Sequence, residues 1–209
     1  MPKTTSRGAS SATFRNRSKS SNQKLPRIIG VDGGAVASGR NGRTVLVLVL
    51  LEGTRILDIR LGEIDVDGVD AQQTLLSLLS ALSYDVVMLS GISFGGFNLV
   101  DIKAVARKVG KPVIAIIREK PNNREVRDAL RKHFPDWEDR WRAVKGAGRL
   151  YSCKPVADEP KLYFEVRGSS PSAAGRIIAA SSTISRLPEP VRVAGLVAKG
   201  LRGCGIRIP

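Results

Sequence analysis

The sequence predicts one α/β domain built on a mixed five-stranded sheet, an antiparallel meander joined to parallel strands, with helices on both faces. Three observations predict it. Three apolar, β-branched runs, at 27–31, 44–51 and 55–60, follow one another with no helical stretch between them. Two more apolar runs, 84–89 and 112–117, each follow a stretch with helical periodicity. The chain has 209 residues, of which 42% are hydrophobic, enough for one domain with a full core.

The elements follow in order. Residues 27–31 form a short apolar strand ending in Asp32-Gly33-Gly34. After a loop loosened by Gly39 and Gly42, residues 44–51 are long enough for a central strand. Glu52-Gly53-Thr54 is a tight turn, so 55–60 pairs back as a hairpin. Leucines at 75, 76, 78, 79 and 82 give 69–83 helical spacing. A buried strand at 84–89 leads into the glycine-rich loop 91–97, and Asn98 is placed to cap a helix at 99–109 that stops at Gly110. Residues 112–117 are again apolar throughout. Helices follow at 122–133 and 136–145, a small strand pair at 150–153 and 161–167, and helices at 171–185 and 191–201. Strands joined by helices should run parallel through right-handed crossovers. This order is the ribonuclease H-like arrangement. A Rossmann sheet, the alternative, would not begin with a meander.

Residues 1–26 stand apart from the domain expected at 27–209. They hold Lys3, Arg7, Arg15, Arg17, Lys19 and Lys24, no acidic residue, and Phe14 as their one aromatic. Such a segment buries too little apolar surface to offset its ordering entropy and is expected to be a disordered basic tail. A transit peptide has a similar composition. The formal net charge of +15 calls for an anionic partner, and nucleic acid is the usual one. An anionic membrane surface, or a salty or hot cytoplasm, are the competing explanations. Cys153 and Cys204 are far apart, which fits neither a disulfide framework nor a zinc site and suits the cytoplasm. No apolar run is long enough to span a bilayer, and no secretory signal is present.

Several residues bear chemistry. Asp32 ends the first strand, where a carboxylate is held rigidly enough to bind Mg²⁺ for phosphodiester chemistry; it is equally a turn aspartate before two glycines. Asp65, Asp67 and Asp70 cluster before the first helix, each explicable as a turn residue or a helix-start carboxylate. In the loop 91–98, Gly95 and Gly96 allow close backbone approach to a ligand, and Phe94 and Phe97 suit either base stacking or the core. His133, the only histidine, sits at a basic helix end and reads as a surface residue. Trp137 and Trp141, among Arg140 and Arg142, read as helix anchors or as an aromatic-basic surface for nucleic acid.

Five stretches carry a resemblance: VDGG, VDGVDAQQT, LSGISFGGFNLVDI, GKPVIAIIREKP and LPEPVRVAGLVAKG. In that order they resemble an archaeal family known as domain of unknown function 99, considered endonuclease V-like, over nearly all of residues 27–201. The resemblance implies a ribonuclease H-like fold and metal-dependent cleavage of deaminated or damaged DNA, a repair activity. It implies Asp32 and Asp70 as catalytic carboxylates, and Asp32, Asp70 and Asp67 as ligands for Mg²⁺ or Mn²⁺, with Asp101 a further helper. Gly95, Gly96, Asn98 and Arg192 are the implied nucleic-acid contacts. Three positions depart from the family pattern. Gly33 stands where the family usually has a second aspartate, Ser90 where the fourth strand normally ends in aspartate, and Gly195 where the last helix usually carries histidine. Two functions therefore stand side by side: a Mg²⁺-dependent endonuclease, and a catalytically degenerate nucleic-acid-binding module. A subunit of a larger assembly is a third class.

Overall fold

The computed structural model describes residues 25–34 and 42–202. The expected tail therefore lies outside the described residues except for Leu25 and Pro26, and so does the stretch 203–209.

The strands β1 (Arg27–Gly33), β2 (Arg43–Glu52) and β3 (Arg55–Asp65) form the antiparallel meander. β4 (Val86–Leu89) then pairs with β1 in parallel. Two short strands, β5 (Ser93–Phe94) and β6 (Asn98–Leu99), make a separate ribbon within the glycine-rich loop. β7 (Val113–Ile117) adds to β4 in parallel. The expected five strands are present in one sheet, but the sheet has seven. β8 (Tyr151–Cys153) and β9 (Leu162–Arg167), expected as a separate pair, extend it antiparallel in the order β3-β2-β1-β4-β7-β9-β8. The apolar alternation of Leu162, Phe164 and Val166 explains their place: those three side chains join the core, which only a strand continuing the sheet achieves.

The helices are α1 (Ala71–Leu79), α2 (Ile102–Val109), α3 (Asn123–His133), α4 (Trp137–Ala147), α5 (Pro171–Ser181) and α6 (Glu189–Arg202). Side-chain alternation sorts the sheet into two faces. Ile29, Val31, Leu46, Leu48, Val87 and Leu89 pack against Leu75 of α1 and Ile102 and Val105 of α2. Ile28, Met88 and Ile114 pack against Ala174 and Ile178 of α5 and Val191 of α6. Val47, Val49 and Leu51 pack on Ala194 and Ala198 of α6. α6 crosses β1 so closely that a Cβ on Gly30 would overlap the Pro190 carbonyl and lie 2.6 Å from the Val191 nitrogen.

Two local readings change. Asn98 does not cap α2. Asp101 does, its Oδ1 accepting from the N–H groups of Lys103 (2.8 Å) and Ala104 (3.1 Å). α1 begins at Ala71 and ends at Leu79, shorter at both ends than its leucine pattern suggests.

One half-buried ionisable group with a displaced pKa lies outside any candidate site. Glu165 alternates away from Phe164, and burial pushes its pKa up to about 7, with Arg167 opposing the rise. The unfolded chain releases this proton near 4.5, so folded-state stability should fall as pH rises from about 4.5 to about 7 and stay lower above it. Glu165→Gln should therefore be more stable than the parent at pH 8 by about 1–2 kcal/mol after solvent screening, and equal to it at pH 4. Urea denaturation at the two pH values checks this; equal stabilities at pH 8 would show that Glu165 ionises freely.

Candidate functional site

Asp32 lies at the carboxyl end of β1 and points to the α6 side of the sheet. Its Oδ1 accepts from the Gly33 N–H at 2.8 Å and from the hydroxyl of Ser90, the residue after β4. On its other side is Gly195 of α6, where an added Cβ would lie 2.5 Å from Asp32 Oδ2. All three departures from the family pattern thus lie against Asp32: Gly33 and Ser90 by hydrogen bonds, Gly195 by close approach. β1 and β4 run parallel in register, Val31 opposite Leu89, which brings Asp32 and Ser90 level. Beside them, at the ends of β4 and β7, is a cleft of about 180 Å³ lined by Ser90, Gly91, Ile116, Arg118, Leu187 and Val191.

Asp67 and Asp70 belong to a different piece of structure. Asp70 precedes α1, which packs on the opposite face from α6. Both of its carboxylate oxygens accept from the Asp65 N–H, at 3.1 and 3.2 Å, and Oδ1 also accepts from Asn98 Nδ2 at 2.6 Å. Asp67, with φ 57°, accepts from the Phe97 N–H at 2.8 Å. These carboxylates stitch the β3–α1 turn to the glycine-rich loop. Among the described residues no group of three or more His, Cys, Asp or Glu side chains is placed to hold a metal ion. Asp32, Asp67 and Asp70 are therefore not gathered into one donor set.

The expected nucleic-acid contacts are placed as follows. Gly95 is buried and Gly96 exposed, both with positive φ (54° and 88°). A Cβ on Gly96 would overlap the Asp67 carboxylate, so the close approach that requires glycine there is to Asp67. Asn98 is fully buried, and its amide is spent within the protein. Oδ1 accepts from the Ala71 N–H (2.9 Å), and Nδ2 donates to the Asp65 carbonyl (2.9 Å) and to Asp70. It caps α1 from across the fold and cannot present its side chain to nucleic acid. Arg192 makes a bidentate pair with buried Glu189, with contacts of 2.7–3.0 Å, and those hydrogen bonds raise its pKa further. Phe94 is core, whereas Phe97 packs edge-on against Phe134 with ring centroids 5.5 Å apart.

Sequence reasoning missed the part played by Arg140. This buried guanidinium donates to the carbonyls of Asp67 (3.0 Å), Gly68 (3.0 Å) and Phe97 (2.6 Å), pairs with Asp136, and lies over the Phe134 ring at 4.2 Å. It bolts α4 to both the acidic turn and the glycine-rich loop. The i,i+4 spacing to Asp136 was the available signal. Arg118 was also missed, because nothing local links the end of β7 to Ser90. α3, which α4 follows, carries the exposed cations Arg124, Arg127, Arg131 and Lys132.

No described helix is long and apolar enough to cross a membrane. Residues 24–202 match the family model described as Endonuclease dU. A UPF0215 protein of Thermococcus gammatolerans is 35% identical over 182 residues, covering 84% of this chain and 91% of that one. A protein of unknown function from Archaeoglobus fulgidus, solved by crystallography, is 31% identical with a TM-score of 0.74, covering 84% of this chain and 97% of its own. Endonuclease V of Ciona intestinalis, crystallised with a 24mer DNA containing an inosine followed by a ribo-adenosine, shares the fold with a TM-score of 0.59 at 15% identity. It covers 87% of each chain.

Proposed function

The chain belongs to the Endonuclease dU family, with an endonuclease V-like, ribonuclease H-like fold, and from that premise we propose that it binds nucleic acid, DNA in particular, without cutting it by metal catalysis. The observation that carries this reading is the makeup of the Asp32 locus. Mg²⁺ prefers several hard, negatively charged oxygen ligands, and paired metals need carboxylates to hold them about 3.5–4 Å apart. Here one carboxylate faces a neutral hydroxyl and a glycine, and the other two candidates are engaged by backbone N–H groups. This donor set does not fit the metal centre that the family resemblance implies, so no hydrolytic step is derived from it. What favours binding is the surplus of positive charge, the exposed cations of α3, and a neighbour of the same fold crystallised with DNA.

The test uses labelled duplexes containing deoxyuridine, deoxyinosine or neither, with Mg²⁺ or Mn²⁺. Binding is expected, with log affinity falling linearly against log salt as counterions leave the phosphates. No cleavage product is expected above the Asp32→Ala background. Metal-dependent cleavage that Asp32→Ala abolishes would establish the endonuclease instead. Salt-independent affinity, or no binding at low salt, would remove nucleic acid as the partner.

A further inference from the structure

Asp32, Ser90 and Arg118 lie at the carboxyl ends of three neighbouring strands, β1, β4 and β7, that run parallel. Alternation puts them on one face. Gly30 and Asp32 face α6, Met88 and Ser90 continue the same row, and Ile114, Ile116 and Arg118 continue it on β7. This carboxyl edge is where open α/β sheets receive ligands. The cleft there has apolar walls from Ile116, Leu187 and Val191, and among the described residues Arg118 is the only charged one lining it.

The electrostatics of the row have a definite sense. The Ser90 proton and the Gly33 N–H are both directed at Asp32 Oδ1, which spreads the negative charge of that carboxylate into the protein. Arg118 is not engaged in this way: its guanidinium has no hydrogen-bond or ion-pair partner among the described residues. Arg186 holds the backbone at this point, donating from Nη1 to the carbonyls of Arg118 (3.3 Å) and Lys161 (2.9 Å). The cation is therefore anchored at its root and free at its tip.

We propose that this cleft binds one phosphate of the nucleic-acid backbone directly, without a divalent cation, and that Arg118 supplies the positive charge. The proposal rests on the nucleic-acid reading above and adds the residue and the metal independence. Arg118 is exposed, so its planar guanidinium is accessible to phosphate oxygens, whose geometry it suits, beside the apolar walls of the cleft. Asp32 keeps its charge, but its Oδ1 is turned to the Ser90 hydroxyl and the Gly33 N–H, so the attraction of Arg118 must exceed the carboxylate's repulsion of the phosphate.

The experiment measures fluorescence anisotropy of a short labelled duplex with the full chain, in EDTA and in Mg²⁺ at matched ionic strength. Arg118→Gln and Arg118→Lys are compared with Arg55→Gln, at the far end of the sheet. Wild-type affinity in EDTA should be at least as high as in Mg²⁺, which competes for the phosphates. Arg118→Gln should bind about tenfold more weakly, with the salt slope reduced by about 1, and Arg118→Lys should recover most of the slope. Arg55→Gln should match the wild type. If the wild type binds but Arg118→Gln behaves like Arg55→Gln, the cleft is not the phosphate site, while nucleic-acid binding stands. Binding that requires Mg²⁺ overturns the metal independence. A wild type that binds no DNA removes the underlying reading and this proposal together. Melting curves of each variant confirm that the losses are not unfolding.

Discussion

Gly30→Ala should destabilise the protein by about 4 kcal/mol or more, the range in which a core steric conflict dominates. Ordinarily, alanine in a strand interior is the easier residue, since glycine has more conformational freedom to lose. Here the contact decides the sign. The added methyl would occupy the position of the Pro190 carbonyl and crowd the Val191 nitrogen, and both are backbone atoms at the start of α6. A side chain can rotate away, whereas a helix backbone has to be displaced as a unit. Lifting α6 would uncover Val47, Val49 and Leu51 together with Ala194 and Ala198. Urea denaturation of the two proteins measures the difference. A loss under about 1 kcal/mol would show that α6 slides over β1 without losing its packing.

Ser90→Asp should give the second large effect, and its sign should depend on Mg²⁺. The hydroxyl of Ser90 is hydrogen-bonded to Asp32, so a carboxylate at that position places two like charges in contact. Without metal the variant should lose about 2 kcal/mol, or about 4–8 °C in Tm for a chain of this size. With Mg²⁺ the two carboxylates become a ligand pair. A site filled to about 100 times its Kd returns about 2.7 kcal/mol, enough to offset the loss. The parent, with a single carboxylate at the locus, should show no such response. Melting curves of both proteins with and without Mg²⁺ separate the cases. The same Mg²⁺ response in both would mean that position 90 is not a ligand position.

The meander, the two parallel strands and every helix were legible in the sequence, because apolar periodicity is a local signal. Strand partnership is not. The alternation in Leu162–Arg167 announces a strand, but its partner β7 lies more than forty residues earlier, and no residue in either segment encodes the pairing. The arrangement of the candidate site was not legible for a related reason. Asp67 and Asp70 look like ligands in one dimension, since acidic residues near a helix start serve turns and metals alike. Only the fold reveals that Asn98 and the backbone of residues 65 and 97 already use their oxygens. Ser90 and Gly195 were singled out through family resemblance, and the structure puts both against Asp32, more than fifty and more than one hundred and fifty residues away along the chain.

The packing of α6 on β1 also bears on the order in which the molecule is made. Of the described elements, β1 is the first to leave the ribosome and α6 the last. Throughout synthesis the meander therefore carries one bare apolar face, with Val47, Val49 and Leu51 exposed to water or to other chains. β1–β3 alone form a twisted ribbon sealed on neither side, and their hydrogen bonds do not hide that face. The sheet closes only when residues 189–202 dock across Gly30, a contact of very long sequence separation. The glycine that permits this late docking is thus what allows that sticky face to be covered once residues 189–202 have been made.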